Sequence, residues 1–343
     1  MARSDAASPR DEMVAIDPHL EAIAAVIAHA ISSSDPVVDT ACGHLVRAGG
    51  KGFRPLVSVL AAVAVGEVTS RTHAAAAACE LLHLSPLYHD DVIDDADLRR
   101  GAPSAHRAWG ERVAVLAGNR LTALALEVAG RAGRSVPTVV ASTYRQLVEG
   151  ERREAGLIGR IDQQPGDYLQ VIDGKTASLI AAAAHVGAVS GGAEPDQVRA
   201  LAAWGRTVGQ AYQIADDVLD VTATTATTGK PAGHDVTQGV FTLPLLVAMD
   251  GPCGDELRFL LTGGLPYPVA TISRVLELVR DSGAIDQAGD TVDGLLARAD
   301  EHLAQLPTGP GRDALHALAR SVVPTTRPEP AEVPVPVREP EPA

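Results

Sequence analysis

The sequence is poor in aromatic residues and in cysteine. Phe, Trp and Tyr together make up 3% of the 343 residues, and three cysteines occur, Cys42, Cys79 and Cys253. Aromatic side chains are enriched in strands, so their scarcity beside abundant alanine favours closely packed helices over a β-sandwich. The cysteines are odd in number and lack the paired spacing of a zinc site. We therefore expect an all-α protein with reduced thiols.

Positive charge is also scarce. Lys and Arg number 29 against 43 Asp and Glu, which gives a formal net charge of -14. The resulting field repels nucleic acid, and no cluster of basic residues is dense enough to reverse it locally, so we expect no nucleic-acid partner. An acidic protein that handles anionic substrates needs local Lys and Arg or bound divalent cations.

A long hydrophobic segment and an apolar leader are missing as well. The apolar run at 55–66 is too short to cross a bilayer, and residues 1–13 have no apolar core of a signal peptide. We expect a soluble, cytoplasmic protein.

Residues 1–12 are small, polar and charged, and residues 323–343 alternate Pro with Glu, Val and Arg. Both segments are therefore predicted to be disordered tails of one helical domain at 13–322.

One short acidic pattern occurs twice. DDVID begins at Asp90 and DDVLD begins at Asp216, 216 − 90 = 126 residues later. In a helix, residues three or four apart share a face, so the carboxylates of each segment can point in one direction. The aspartates concerned are Asp90, Asp91, Asp94, Asp216, Asp217 and Asp220.

Coupled carboxylates on an apolar helix are costly unless solvent or cations neutralise them. Hard oxygen ligands suit magnesium, which prefers to share its shell with phosphate and water. The repeated pattern therefore predicts a magnesium-diphosphate site between two facing helices. A solvated acidic helix end is the alternative for either segment alone. A polar residue on the same helical stripe, His83 in the first case and Gln213 in the second, favours the site.

Basic residues could supply the other half of such a site. GGKGFRP places Lys51 and Arg54 in a glycine-rich turn before an apolar helix, where backbone N–H groups and side chains can hold a phosphate. A surface cation or a helix end is the alternative reading of each basic residue alone. Further candidates beside the aspartates or within an alanine-rich helix are Arg99, Arg100, Lys175, Thr176 and Lys230.

In combination, these residues resemble the trans-isoprenyl (polyprenyl) diphosphate synthase family. HDDVIDDADLRRG, DGKTASLI and YQIADDVLD follow the motifs of that family in its order, with GK, D and TLP after the last. The resemblance is dense over about residues 45–250 and extends more loosely to about 322. It implies a bundle of long antiparallel helices around a deep central cavity, with the aspartate helices on opposite walls at its mouth. It also implies a homodimer.

The resemblance further implies an activity and a set of roles. The activity is condensation of isopentenyl diphosphate with an allylic diphosphate, which elongates trans-polyprenyl diphosphates. The six aspartates would bind a Mg²⁺ cluster that grips the allylic diphosphate. Thr176 and Gln213, with backbone carbonyls near Lys175, would stabilise the allylic carbocation. Further contacts to the allylic diphosphate would come from Arg99, Lys175 and Lys230. The isopentenyl diphosphate pocket would comprise Lys51, Arg54, His83 and Arg100.

The sequence departs from the family at a few positions. Val240 stands where many members place a lysine near the allylic diphosphate, and Asn119 stands where Asp is common. In the family, the residues four and five positions before the first aspartate lie under the growing chain, and here they are Pro86 and Ser85. Neither is aromatic, which favours a long-chain product such as a quinone side chain, with geranylgeranyl length as the alternative. Pro86 is also expected to kink its helix.

Three other functions stay open from the sequence. A class I terpene cyclase shares the first DDxxD, but its second metal motif usually differs from DDVLD. A catalytically silent partner subunit of a heteromeric synthase would commonly lose aspartates that are retained here. Hydrolysis of prenyl diphosphates or nucleotides is disfavoured because no Walker-type glycine loop or obvious general base accompanies the aspartates. Transient membrane contact for product release is a further open point.

Overall fold

A computed structural model of the chain describes residues 9–50, 52–222 and 232–323, with side chains from Ile16 onward. Most of these residues are helical, and the all-α prediction is confirmed. The helices are α1 (Pro9–Ile31), α2 (Pro36–Cys42), α3 (His44–Arg47), α4 (Phe53–Val65), α5 (Ser70–Ile93), α6 (Ala105–Trp109), α7 (Glu111–Ala132), α8 (Val136–Ala155), α9 (Pro165–Ile172), α10 (Ser178–Ser190), α11 (Pro195–Thr222), α12 (His234–Gln238), α13 (Leu243–Met249), α14 (Gly254–Leu261), α15 (Val269–Asp281), α16 (Ala284–Leu303) and α17 (Pro310–Val322). A two-residue hairpin, β1 (Leu98–Arg99) with β2 (Ala102–Pro103), follows α5.

Some predicted features fall outside these ranges. Lys51 and Lys230, two of the predicted diphosphate contacts, lie outside the described residues. The same holds for most of the two predicted tails, which stay predictions. Helix α1 already begins at Pro9, so it overlaps the segment predicted as the first tail.

Helix α5 carries the first aspartate segment. Its start is fixed by Thr69, whose hydroxyl accepts the Arg71 N–H (3.2 Å) while the Thr72 hydroxyl accepts the Thr69 N–H (3.1 Å). The alanines at 74–78 are all buried, and such small side chains allow α4, α7 and α10 to approach closely. The helix runs on through Pro86 and ends at Ile93, so the first aspartates lie in its last turn.

Helix α11 carries the second aspartate segment. It is 28 residues long and packs between α10 and α16, with Trp204 and Ile214 fully buried. Because α11 ends at Thr222, the second aspartates also lie near the C-terminal end of a long helix. The rigid parts of both helices are held in the core, which fixes where their acidic ends lie.

A single π-helical turn at Asp173–Ala177 joins α9 to α10. Two glycines allow α8 to lie against it: a Cβ on Gly150 would come within 2.7 Å of the Lys175 nitrogen, and one on Gly174 within 3.0 Å of the Gly150 Cα. The Asp173 carboxylate pairs with Arg206 of α11 and accepts a hydrogen bond from Gln210 (3.0 Å). The turn is therefore tied to α8 and α11, and π-turns of this kind are frequent at functional sites.

Helix α7 is the one helix among the described residues that is long and apolar enough to cross a bilayer by length and composition. It packs along α5 and also touches α8, and it buries Leu121, Ala125 and Val128 completely. These contacts make it a helix of the bundle. Its outer side carries the exposed Leu116 and Leu126.

Candidate active site

A cleft of about 640 Å³ is lined by residues from the acidic ends of both α5 and α11. Asp94 lines it from the first segment and Asp217 from the second, with Arg99 beside them. The two acidic segments therefore face one cleft, which is the arrangement that the repeated pattern predicts. Apolar and aromatic side chains also line this cleft, and they include Tyr168, Val171, Ile172 and Phe241.

Lys175 projects from the π-turn into the cleft and lies between two glutamates of α8. Its Nζ lies 3.0 Å from Glu151 Oε2, and it forms a second, short ion pair with Glu154. Burial lowers the pKa of Lys175, but the two glutamates outweigh it and raise the pKa above its usual value. The lysine is therefore a permanent cation at the centre of an acidic cleft.

Asp90 lies half-buried next to this lysine. Burial raises its pKa to about 7, the charges of Glu151 and Asp94 add to the rise, and Lys175 and Arg99 oppose it. Repulsion among these carboxylates therefore adds to the effect of burial at this wall of the cleft. Bound cations or added basic groups would relieve the repulsion.

Asp91 occupies a different environment from its neighbours. Its side chain is fully buried and accepts a hydrogen bond from Arg99 Nε (2.7 Å), while its Oδ2 has no hydrogen-bond partner within the described ranges. The carboxylate therefore holds Arg99 in place in the lining of the cleft. Helical spacing alone places Asp91 with Asp90 and Asp94, but the burial of this turn directs it to the arginine.

Asp217 is held by hydrogen bonds at both carboxylate oxygens. Tyr168 donates to Oδ2 (2.5 Å), and Gln213 Nε2 donates to Oδ1 (2.8 Å). Burial raises the pKa of Asp217 to about 8, and the nearby Asp235 adds to this effect while the two hydrogen bonds oppose it. Gln213 in turn accepts a hydrogen bond from the Thr176 hydroxyl (2.8 Å), so the predicted residues Thr176, Gln213 and Asp217 are in direct contact.

Asp220 and Asp216 lie at the same end of α11. The Asp220 carboxylate accepts the backbone N–H groups of His234 and Asp235 (3.2 Å each), which brings α12 to the cleft. Asp216 is exposed, and its charge acts on Asp235. Burial raises the pKa of Asp235 to about 7, with Asp220, Asp216 and Glu154 contributing.

Asp235, Glu151 and Glu154 line the cleft but were not predicted as site residues. Asp235 is the aspartate between GK and TLP in the family motifs, and its position there does not by itself indicate a role. The EGERRE segment of α8 has the charge pattern of a solvated helix face, so nothing in the sequence indicated that Glu151 and Glu154 line a cleft.

A second group of charged residues lies next to the first aspartate helix. Burial lowers the pKa of Arg54, and the nearby Glu80 opposes this. Burial also raises the pKa of Glu80, with Arg54 and Arg100 acting against it. Arg54 Nε and Glu80 Oε2 are buried and have no hydrogen-bond partner among the residues that the structure describes. An anionic ligand that reaches this pocket would find an arginine with an unused donor.

His83 and Arg100 belong to the same group of residues. Burial and the charges of Arg54, Arg100 and Arg99 hold the pKa of His83 well below its usual value, so the imidazole is neutral. Arg100 donates to the carbonyl of Leu45 (2.9 Å) and to that of Gly49, which ties the glycine-rich turn to the end of the first aspartate segment. Of the four residues predicted for isopentenyl diphosphate, the three that are described therefore lie together.

The donor set fits divalent cations that are shared with a ligand. In the parts of the chain that the structure describes, no three Asp, Glu, His or Cys side chains are placed to enclose an ion by themselves. The carboxylates of Asp94, Glu151, Glu154, Asp217 and Asp235 nevertheless line one cleft. Magnesium takes hard oxygen ligands and usually keeps several from phosphate and water, which suits carboxylates spread over two walls.

Comparison with known proteins agrees with this architecture. The polyprenyl synthetase family model matches residues 35–261, and the chain belongs to this family. It is 42% identical to a nonaprenyl diphosphate synthase of Mycobacterium tuberculosis over 84% of this chain and 87% of the relative. The predicted family membership and the isoprenoid synthase fold are both confirmed.

Two solved structures show the same fold. A decaprenyl diphosphate synthase from Rhodobacter capsulatus superposes with a TM-score of 0.85 at 32% identity, over 93% of this chain and all (100%) of that one. A geranylgeranyl pyrophosphate synthase from Corynebacterium glutamicum, complexed with calcium and isoprenyl diphosphate, gives a TM-score of 0.80 at 36% identity, over 92% and 97%. The similar proteins thus include both long-chain and geranylgeranyl synthases.

Proposed function

We propose that the chain is a Mg²⁺-dependent trans-prenyltransferase that condenses isopentenyl diphosphate with an allylic diphosphate. The observation that carries this proposal is the single cleft that Asp94 and Asp217 share with Lys175, together with the separate cluster of Arg54, His83 and Arg100. The allylic diphosphate needs a metal-binding wall, which the cleft would provide. Isopentenyl diphosphate needs only basic side chains, which Arg54 and Arg100 would provide. Membership of the polyprenyl synthetase family supports the same reaction.

The acidic walls would hold the magnesium ions through the six predicted aspartates, with Asp235 as an additional ligand. Asp91 would contribute by fixing Arg99, since its carboxylate is already bound to that guanidinium. Bound magnesium would stabilise the negative charge that builds up on a departing diphosphate. The calcium complex of the geranylgeranyl pyrophosphate synthase from Corynebacterium glutamicum supports a divalent cation at such a site.

The side chains of the cleft would divide the remaining work. Arg99 and Lys175, with Lys230 as predicted, would bind the allylic diphosphate, while Thr176 and Gln213 would turn oxygen atoms to the cation formed when it leaves. The apolar lining, which includes Val171 and Phe241, would keep water from that cation.

The basic pocket would bind the second substrate. Arg54 and Arg100, with the predicted Lys51, would bind the diphosphate of isopentenyl diphosphate. The neutral His83 would donate a hydrogen bond to it without adding charge. In this way the double bond of isopentenyl diphosphate would be held next to the allylic cation.

Product length follows from the space beneath the first aspartates. Ser85 is fully buried, donates to the Gly118 carbonyl (2.9 Å) and lies 2.6 Å from the Thr122 hydroxyl, so it is drawn against α7. A small side chain held against a neighbouring helix leaves more room for a growing chain than an aromatic one. We therefore propose a long-chain product, in line with the nonaprenyl and decaprenyl relatives, with geranylgeranyl length as the alternative.

The assembly is proposed to be a cytoplasmic homodimer that joins through α7. The outer side of this helix exposes Val115, Leu116 and Leu126, and Val148 of α8 is exposed as well. Exposed apolar side chains on one long helix are typical of a surface that a second subunit covers. Transient membrane contact would serve only to release a long product.

The experiment that tests this function incubates the purified chain with labelled isopentenyl diphosphate, Mg²⁺ and allylic starters of five, ten, fifteen and twenty carbons. We expect products extended by several isoprene units, none without isopentenyl diphosphate, and none with Asp94→Asn. Cyclised products formed without isopentenyl diphosphate would indicate a terpene cyclase. Turnover only after addition of a partner protein would indicate the silent subunit, and a sole product of fifteen carbons would contradict the long-chain proposal.

A further inference from the structure

Four side chains from three separate elements form one hydrogen-bonded chain along the cleft. The Thr176 hydroxyl of the π-turn lies 2.8 Å from Gln213 Oε1 of α11. Gln213 Nε2 lies 2.8 Å from Asp217 Oδ1, and Asp217 Oδ2 lies 2.5 Å from the Tyr168 hydroxyl of α9. All four residues line the same cleft.

The chemistry of these groups fixes the direction of each hydrogen bond. An amide nitrogen only donates, so Gln213 must give Nε2–H to the carboxylate oxygen of Asp217. Its Oε1 then faces Thr176 and can only accept, so the Thr176 hydroxyl must donate. With Asp217 ionised, as metal binding requires, the opposite amide orientation would bring Oε1 against Asp217 Oδ1, two acceptors 2.8 Å apart with no proton between them.

This direction has a consequence at the Thr176 oxygen. Because its proton points to Gln213, the two lone pairs of Oγ1 point elsewhere, and the open side is the cleft. A hydroxyl that presents lone pairs stabilises a nearby carbocation, whereas a hydroxyl that presents its proton destabilises it. The orientation of the Gln213 amide therefore decides whether the Thr176 hydroxyl stabilises or destabilises the allylic cation.

Tyr168 holds the far end of the chain. Its side chain and that of Asp217 are each about 5% exposed, so neither group has water as a ready substitute partner. The position of Tyr168 is set at the start of α9, where Pro165 occupies the first turn and Asp167 accepts the Gln164 N–H (2.9 Å). Without the Tyr168 hydroxyl, Asp217 Oδ2 would lose this donor and the carboxylate could rotate away from Gln213.

We propose that Tyr168 is a positioning residue for the condensation, and that it acts through Asp217 and Gln213 to keep the lone pairs of Thr176 turned toward the allylic carbon. Tyr168 touches the carboxylate of Asp217 and affects the reacting carbon only through this chain. The inference rests on the proposed prenyltransferase function.

The test compares single-turnover condensation rates of Tyr168→Phe with those of the wild type. We expect the rate to fall by roughly tenfold, as for the loss of about 1.4 kcal/mol of transition-state stabilisation, while the KM for isopentenyl diphosphate changes less than twofold. Tyr267→Phe is the matched control, because it removes a buried tyrosine hydroxyl that donates to the Leu261 carbonyl (3.3 Å) outside the cleft lining. The control should keep the wild-type rate.

A double-mutant cycle separates this role from a merely structural one. Thr176→Val removes the oxygen on which Tyr168 is proposed to act, so Tyr168→Phe should then cause no further loss of rate. The proposal would be overturned if Tyr168→Phe lowered the condensation rate by the same factor in the wild type and in Thr176→Val. A wild-type rate for Tyr168→Phe alone would also overturn it.

A measurement without turnover keeps the proposal distinguishable from the function. The side-chain amide protons of Gln213, assigned by their loss in Gln213→Glu, should exchange with solvent at least several-fold faster in Tyr168→Phe than in the wild type. Unchanged exchange would contradict the hydrogen-bonded chain even in an inactive protein. Faster exchange in a protein that never condenses isopentenyl diphosphate would instead contradict the proposed function.

Discussion

Asp217→Asn should stabilise the protein against unfolding at neutral and alkaline pH in EDTA, although it should remove activity. Asp217 is about 5% exposed, and burial raises its pKa from 3.8 to about 8. In the unfolded chain the same carboxyl ionises near pH 4. Between these two values the folded state binds one proton more than the unfolded state, so the free energy of unfolding falls as pH rises.

The size of the effect follows from that proton. One bound proton changes the free energy of unfolding by about 1.4 kcal/mol per pH unit, which amounts to about 4 kcal/mol between pH 5 and pH 8. Asp235 raises the pKa of Asp217 by repulsion, so replacing Asp217 with a neutral amide also removes that repulsion. We therefore expect nearly the full amount, about 4 kcal/mol, as the relative gain of the variant at pH 8.

Urea unfolding in EDTA at pH 5, 6, 7 and 8 measures this difference. At pH 5 the protonated Asp217 and the amide are nearly isosteric, so the two proteins should have similar stabilities. The gap should open toward pH 8, and the exposed Asp281→Asn should show no such trend. A variant that is less stable than the wild type at pH 8, or a gap independent of pH, would refute the assignment of a buried, strongly repelled carboxylate.

Three further predictions concern substrate binding and assembly. Lys175→Met removes the cation held by Glu151 and Glu154, so the KM for the allylic diphosphate should rise at least about tenfold in steady-state assays while that for isopentenyl diphosphate stays constant. Val240→Lys adds a cation to the cleft lining and should lower the allylic KM several-fold in the same assay. Leu116→Arg places a charge on the exposed side of α7 and should shift the sedimentation coefficient from dimer to monomer.

Each of these predictions has a control and a contradicting outcome. Arg199→Met removes an exposed cation of α11 and should leave both KM values unchanged. Equal effects of Lys175→Met on the two KM values would place the lysine outside the allylic site. An unchanged allylic KM for Val240→Lys would mean that valine in place of the family's lysine does not weaken substrate binding. Phe259→Arg changes another exposed apolar residue, on α14, and should leave the sedimentation coefficient as it is. A dimer that persists in Leu116→Arg would exclude the α7 interface.

The sequence predicted the parts of the molecule that depend on helical period. The spacing within DDVID and DDVLD was enough to infer two acidic helices that face one cleft, and Asp94 and Asp217 do line it together. The all-α fold followed from composition and from apolar periodicity, and the family motifs gave its architecture. These features are local in the chain, so a single sequence contains them.

Features that depend on contacts between distant segments were not predicted. The π-turn requires Gly150 to lie against Gly174, a contact between two helices that no local pattern reveals. Burial of the last turn of α5 directs Asp91 to Arg99, although helical spacing groups it with its neighbours. Tyr168 looks like a core aromatic, and only the fold brings its hydroxyl to Asp217.

The central claim is that both aspartate segments bind one metal-diphosphate cluster. The most direct measurement is anomalous diffraction from crystals grown with Mn²⁺ and an allylic thiodiphosphate that cannot ionise. The account predicts manganese peaks inside the cleft, between the diphosphate and carboxylates of both α5 and α11. Peaks confined to one helix, or located on the outer surface with the analogue bound elsewhere, would contradict it.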